Sequence, residues 1–188
     1  QCLNNGSSEL QNFGISVRSL TEPPKFRNSE PLIPMSINLQ QFTIKSAMQG
    51  LRNQEFSCVD LITAIFKRIR EHDGKIKAFL TLTEETALAQ AKEVDRKIKR
   101  GEPLRPLEGI PVAVKDVICT AGVRTTAASK ILENYVPPYD ATVVTRLKDA
   151  GAIIVGKTNC DEFAHGASTE NSAYGPSRNP WDLSRSPG

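Results

Sequence analysis

Apolar residues begin to recur at helical spacing only after Thr43. Ile44, Ala47, Met48 and Leu51 predict a first amphipathic helix, with the Thr43 hydroxyl placed to cap it. Ser57 opens the next. Its inward stripe is Val59, Leu61, Ile62, Ile65, Phe66 and Ile69, with Lys67, Arg68 and Arg70 near the C-terminal end and Asp73-Gly74 as the expected stop. Ala78 to Leu82 reads as a short strand. Thr83 is then expected to cap a third helix, with Glu84 and Glu85 in its first turn and Lys97, Lys99 and Arg100 in its last, before Gly101 ends it. That charge order suits the helix dipole, so this helix reads as a solvated amphipathic one and not as a partner-binding surface.

The pattern then changes period. Ile110, Pro111, Val112, Ala113 and Val114 form a continuous apolar run between Gly109 and Lys115-Asp116, the mark of a short buried strand. Asp140 is expected to cap a helix over 141–150 with Val143, Val144 and Leu147 inward. Gly151 ends that helix, and Ala152 to Val155 is a second buried strand. Strand, helix and strand at this spacing predict an α/β fold, with N-terminal helices followed by the first strands of a sheet covered by helices. From Ser168 onward Ser, Asn, Gly and Pro dominate, and function in such folds gathers on loops. Gln1 to Pro34 differs from all of this. It is polar and turn-rich without a period, and is expected to be a mostly disordered leader or extension ahead of a domain over residues 35–188. Its bases Arg18, Lys25 and Arg27 are matched by Glu9, Glu22 and Glu30, which argues against an organelle transit peptide.

Composition narrows the classes. The 188 residues, 39% hydrophobic and 24% charged, suffice for one globular domain with a sizeable core. A net charge of +3 with the signs interleaved is too weak for a nucleic-acid surface. No apolar run approaches a membrane span. Cys2, Cys58, Cys119 and Cys160 make no CxxC pair and read as reduced thiols of an intracellular protein. His72 and His165 leave no metal-ligand cluster, so neither metal nor cofactor is expected in the chain itself.

The candidate chemistry centres on Lys115, a single lysine where an apolar strand ends. Buried among Val112, Val114 and Val117, such a lysine would lose its proton readily and could serve as a general base for a serine hydroxyl. The structural alternative is a lysine that snorkels to water or pairs with Asp116. Thr125 and Thr126 could line a pocket beside it, or simply satisfy turn hydrogen bonds. A second motif, GAIIVGKT over Gly151 to Thr158, matches the phosphate-loop pattern letter for letter. Its variable positions are strand residues, however, and a phosphate loop needs them in a turn with free N–H groups, so the physics rejects an ATP site.

Several runs carry a family resemblance: GIPVAVKD (Gly109 to Asp116), TTAASKIL (Thr125 to Leu132), DATVVTRLKDAGAIIVGKTN (Asp140 to Asn159), DEFAHGASTENSAYG (Asp161 to Gly175) and NPWDLSRSPG (Asn179 to Gly188). Together they resemble the amidase signature family, and within it the branch of glutamyl-tRNA(Gln) amidotransferase A subunits. The resemblance implies the N-terminal portion of the amidase signature fold, with a mixed sheet. It also implies a Ser–Ser–Lys mechanism in which Lys115 is the base. In the family, SRSPG leads into a serine- and glycine-rich loop that supplies the bridging serine, and the nucleophilic serine lies further on. Neither falls within these 188 residues, so the polypeptide taken literally is expected to release no ammonia. The resemblance further implies glutamine as substrate, amidotransferase subunits B and C as partners, and tRNA, ATP and magnesium engaged through the partner subunit. It implies a cytoplasmic location, or the matrix of a mitochondrion or plastid. The rival readings are a stand-alone amidase for another small amide and a non-catalytic binding fragment.

The resemblance also places His165 and Gly166 beside the substrate pocket. This chain carries His165 and Cys160 where the A subunits usually have methionine, which adds a titratable donor and bears on the choice of amide. The alternative for His165 is an imidazole that merely touches solvent. Asn159 to Gly166 is expected to open a short helix, with Asp161 and Glu162 as favourable charges at its start and Phe163 in the core.

Overall fold

A computed structural model describes residues 37–187, so the expected leader over residues 1–34 lies outside the described residues. The first helix, α1 (Ile44–Arg52), starts where Thr43 and Ser46 exchange hydrogen bonds. The Ser46 N–H donates to Thr43 Oγ1 at 3.0 Å and the Thr43 N–H to Ser46 Oγ at 2.8 Å. Ala47, Met48 and Leu51 are buried, whereas Ile44, expected in the same stripe, is exposed. Helix α2 (Cys58–Ile76) is capped in the same way by Ser57 and Asp60. A second cap reaches it from across the fold: Asp95 accepts from the N–H groups of Cys58 and Val59 at 2.6 and 3.1 Å.

Helix α2 does not stop at Asp73-Gly74. It runs to Ile76 and ends where Lys77 turns left-handed at φ +57°. Asp73 is the anchor of that ending, since its main-chain carbonyl takes the Lys77 N–H and its carboxylate the Ala78 N–H, both at 2.7 Å. A lone glycine costs a helix only about 1 kcal/mol relative to alanine, which the packed stripe of α2 easily exceeds.

Strand β1 (Phe79–Leu82) follows, and then α3 (Glu84–Lys99). Thr83 precedes α3 but does not cap it with its side chain. Its hydroxyl donates instead to the Ile154 carbonyl at 2.7 Å, tying the helix start to the sheet. Strand β2 (Pro111–Lys115), helix α4 (Thr142–Asp149) and strand β3 (Ile153–Thr158) complete the α/β unit. Asp140 is likewise no cap. It is held by the Ala121 N–H and by Lys148 on the far turn of α4. Of the residues expected inward on α4, Val144 is fully buried, Leu147 half-buried and Val143 exposed.

The sheet order is β1-β3-β2, with β3 antiparallel to β1 and parallel to β2. Because β3 is central, its residues from Ile153 to Lys157 are all buried. Alternation along it feeds two cores. Ile153 and Val155 pack with Leu51, Ile62 and Phe66 of α1 and α2 and with Ala87, Ala91 and Val94 of α3. Ile154 packs with Val114 and Val144 on the side of α4. Among the described residues no helix is long and apolar enough to cross a membrane.

One buried charge braces the entry to β2. Glu108, 2% exposed, accepts from the Arg105 guanidinium with both oxygens and from Lys97 at the end of α3. The Arg105 hydrogen bonds, seconded by Lys97, hold its carboxyl down at about 2, below the usual 4.5. A carboxyl depressed in the folded state stabilises the fold above its unfolded pKa and loses that contribution as pH falls from about 4.5 to about 2. Its contribution is about 3 kcal/mol, integrating the shift. Acid unfolding of the wild type should therefore steepen across that window, and Glu108→Gln should flatten the acid limb of a plot of melting temperature against pH. An unchanged limb would remove Glu108 from the account.

Candidate active site

Strands β2 and β3 are parallel, so their carboxyl ends meet at one edge of the sheet, where open α/β sheets bind ligands. Lys115 ends β2, paired in register with Thr158. Asn159, Cys160 and Asp161 follow β3 directly.

Lys115 is not buried. Val114 and Asp116 on either side of it point into the fold, and strand alternation sends the lysine outward. Val112 is only half-buried and Val117 is exposed, so the expected apolar surround does not form. Nor does Lys115 pair with Asp116. Among the described residues its ammonium makes no hydrogen bond or ion pair. It lies close enough to act on the buried Cys160 thiol. Burial pushes that thiol up, and the Lys115 charge opposes.

The lysine that is buried is Lys157, fully enclosed in β3. Its Nζ donates to the Ile118 carbonyl and to Thr125 Oγ1, each at 2.7 Å, and lies 4.0 Å from Asp116 Oδ1. Burial pushes its pKa down, and the Asp116 charge works against that. The strand expected over Ala152 to Val155 stops two residues short of Lys157, whereas β3 runs on to Thr158. A register shift between β2 and β3 sets Lys157 opposite Val114, on the α4 face and not on that of Ile153 and Val155, so alternation counted along the sequence could not find its side. The same placement disposes of the phosphate-loop match, since Ile153 to Thr158 form a strand that pairs with β2 and, over Gly156 to Thr158, with β1 as well.

Two loops stand over this strand end. In the first, Thr125, Thr126, Ala127, Ala128 and Ser129 are all buried. Asp116 Oδ2 accepts from the Thr126 N–H at 2.9 Å, from the Thr126 hydroxyl, and from the Ala128 N–H at 3.3 Å. Thr125 and Thr126 thus serve the buried network and do not reach Lys115. The second loop follows β3. Its expected helix is a single 3₁₀ turn, Glu162–Ala164, in which Phe163 has φ +51° and an exposed ring. Asp161 is not a helix-start charge. It accepts from the N–H groups of Thr169 and Asn171 at 3.0 and 3.3 Å, folding the loop back on itself. Gly166 sits hard against it: a Cβ there would lie 2.4 Å from Asp161 Cγ. The His165 side chain is exposed and makes no hydrogen bond or ion pair among the described residues. Asn159 was missed by sequence reasoning. It locks the loop by accepting from Ser172 Oγ at 2.7 Å and donating to the Gly175 carbonyl at 2.8 Å.

The edge therefore offers an exposed, unpaired cation framed by two loops fixed through buried side chains. An apolar cavity of about 280 Å³ between α2 and the sheet, lined by Ile65, Ile69, Phe79, Pro111 and Val155, holds none of these residues.

The family model described as Amidase matches residues 60–188. The glutamyl-tRNA(Gln) amidotransferase A subunit of Natranaerobius thermophilus is 55% identical over 152 residues, covering 81% of this chain and 31% of that protein. The structure of the glutamyl-tRNA(Gln) amidotransferase A subunit from Thermotoga maritima is similar at TM-score 0.65 and 39% identity, over 81% of this chain and 30% of that one. Native peptide amidase from Stenotrophomonas maltophilia gives TM-score 0.71 and 32% identity, over 78% and 31%. The chain spans less than a third of the length of each. On a match that takes in both parallel strands and the loops framing the candidate site, this chain belongs to the amidase family.

Proposed function

We propose that this chain carries the general base of a glutamine-hydrolysing amidotransferase of the A-subunit type, and that the base is Lys115. The observation that carries the reading is the free, exposed ammonium of Lys115 at the carboxyl end of a parallel strand pair. A structural lysine would have a partner there, and the adjacent carboxylate is committed elsewhere. Acting as a base requires a neutral amine near pH 7, so the reading needs Lys115 to be desolvated in the full-length protein by whatever covers the strand end, substrate or further polypeptide. In the Ser–Ser–Lys scheme the neutral lysine accepts a proton through a bridging serine. The nucleophilic serine then adds to the amide carbon, and backbone N–H groups receive the oxyanion. The proton returns to the amide nitrogen, collapse breaks the C–N bond to release ammonia, and the acyl-enzyme left behind is hydrolysed by water. The ammonia would pass to a partner that activates glutamyl-tRNA with ATP and magnesium, and subunits B and C complete the proposed assembly.

His165 favours keeping a second reading, an amidase for another small amide. Its exposed ring adds a donor and acceptor beside Gly166 that could select a different side chain. Ammonia release by the full-length protein separates the two. The amidotransferase reading expects hydrolysis of glutamine above other amides, with transfer to glutamyl-tRNA only when the partner subunits and ATP are present. Hydrolysis of a peptide or aryl amide with no activity on glutamine would overturn it in favour of the amidase.

A further inference from the structure

Asp116 and Lys157 are both fully buried, yet the reaction assigned to Lys115 uses neither. They lie on neighbouring strands. Asp116 directly follows Lys115, and Lys157 stands in register with Val114. Two charges without solvent are costly to hold, and a methionine and an amide would fill the same space without that cost. Asp116 Oδ1 has no hydrogen-bond partner among the described residues and is compensated only by the Lys157 ammonium at 4.0 Å.

What the pair holds is visible at the other oxygen. Oδ2 receives Thr126 and Ala128, and the Asp116 carbonyl receives the Ala127 N–H at 3.2 Å. Ala127 and Ala128 are thereby kept at φ +50° and +54°, a region that a residue with a Cβ enters only when its surroundings over-determine it. Their carbonyls in turn accept the Phe163 N–H at 2.8 Å and the Ala173 N–H at 3.0 Å, which seats the loop that carries His165 and Gly166. From below, Lys157 fixes Thr125 and Ile118 on either side of the same turn. One carboxylate and one ammonium thus set the strand end and both loops in register.

Resting on the reading of Lys115 as the base, we propose that Asp116 and Lys157 are a positioning pair, which places Lys115 relative to the 126–128 and 161–175 loops and neither touches substrate nor moves a proton.

The test uses the full-length protein with Asp116→Asn, Lys157→Met and the two combined. Amide hydrogen exchange at Ala128, Phe163 and Ala173 is read beside kcat and KM. Each single change leaves one buried charge uncompensated. It should speed exchange at these amides and lower kcat by about a hundredfold, the scale of a 1 Å misplacement, with KM nearly unchanged. The combined variant carries no unpaired charge, and an asparagine oxygen can still accept from Thr126 and Ala128. It should regain kcat to within about tenfold of the wild type, the non-additivity expected of coupled neighbours. Single variants with native exchange and native kcat would overturn the proposal, as would a combined variant no better than the worse single. Should the singles fail to fold, the combined variant decides alone by the same kcat criterion. A failure of the base reading is distinguishable, because it shows as native turnover in Lys115→Arg, a change that leaves both loops untouched.

Discussion

Lys115→Ala in the full-length protein is expected to lower amide hydrolysis by about 10³-fold, within the range that general base catalysis supplies. Lys115→Arg should fare no better. Arginine keeps the charge and the reach but cannot be deprotonated near neutral pH. Both variants should fold normally. The side chain is exposed and holds no hydrogen bond or ion pair among the described residues, and surface changes of that kind usually shift stability by no more than about 0.5 kcal/mol. This contrast gives the experiment its power, since a loss of rate at constant melting temperature has no explanation in folding. The competing picture, a structural Lys115–Asp116 pair, predicts a tolerated arginine and a destabilising alanine. It is already weakened by the geometry, for Asp116 is turned inward to Thr126, Ala128 and Lys157. Turnover of Lys115→Arg within a few-fold of the wild type would end the catalytic assignment.

Gly156→Ala is expected to cost about 3 kcal/mol, at the upper end of what overpacking a core exacts. A Cβ at position 156 would lie 2.5 Å from the Thr81 carbonyl oxygen and 3.0 Å from the Phe79 ring. The first contact is with backbone, so the central strand and β1 must move apart, and Thr83, bonded to Ile154, must follow. Gly74→Ala provides the control. Position 74 lies inside α2 with nothing within 4 Å of an added Cβ. Alanine there should stabilise by about 0.5–1 kcal/mol, because glycine gives up more chain entropy on forming a helix. Thermal unfolding of the two variants should therefore shift in opposite directions. For a chain of this size, the Gly156 change should lower the melting temperature by roughly 6–12 °C. Equal shifts would show that the sheet has slack around Gly156.

Among the described residues, periodicity determined the four α-helices, the strands and their α/β arrangement, because burial of apolar stripes dominates where elements form. Local capping chemistry was equally legible at Thr43 and Ser57, where donor and acceptor lie within one turn. At Thr83 and Asp140 the same residue types misled. Each found a stronger partner distant in sequence or on the far turn, at Ile154 and at Lys148 and Ala121, and a cap is only one of several places a hydroxyl or carboxylate can satisfy itself. Family resemblance singled out Lys115, but not its surroundings. Whether a strand-end lysine is buried depends on which face of the sheet is covered, and that is settled by the packing of α2 and α3 against one side of β3 and α4 against the other. The same packing made Lys157 the enclosed lysine, turned Asp116 away from Lys115, and drew Asn159 and Asp161 into loop scaffolding. A sequence names which side chains are available. Only the tertiary structure decides which are denied water, and with that which charges need a partner and which remain free to do chemistry.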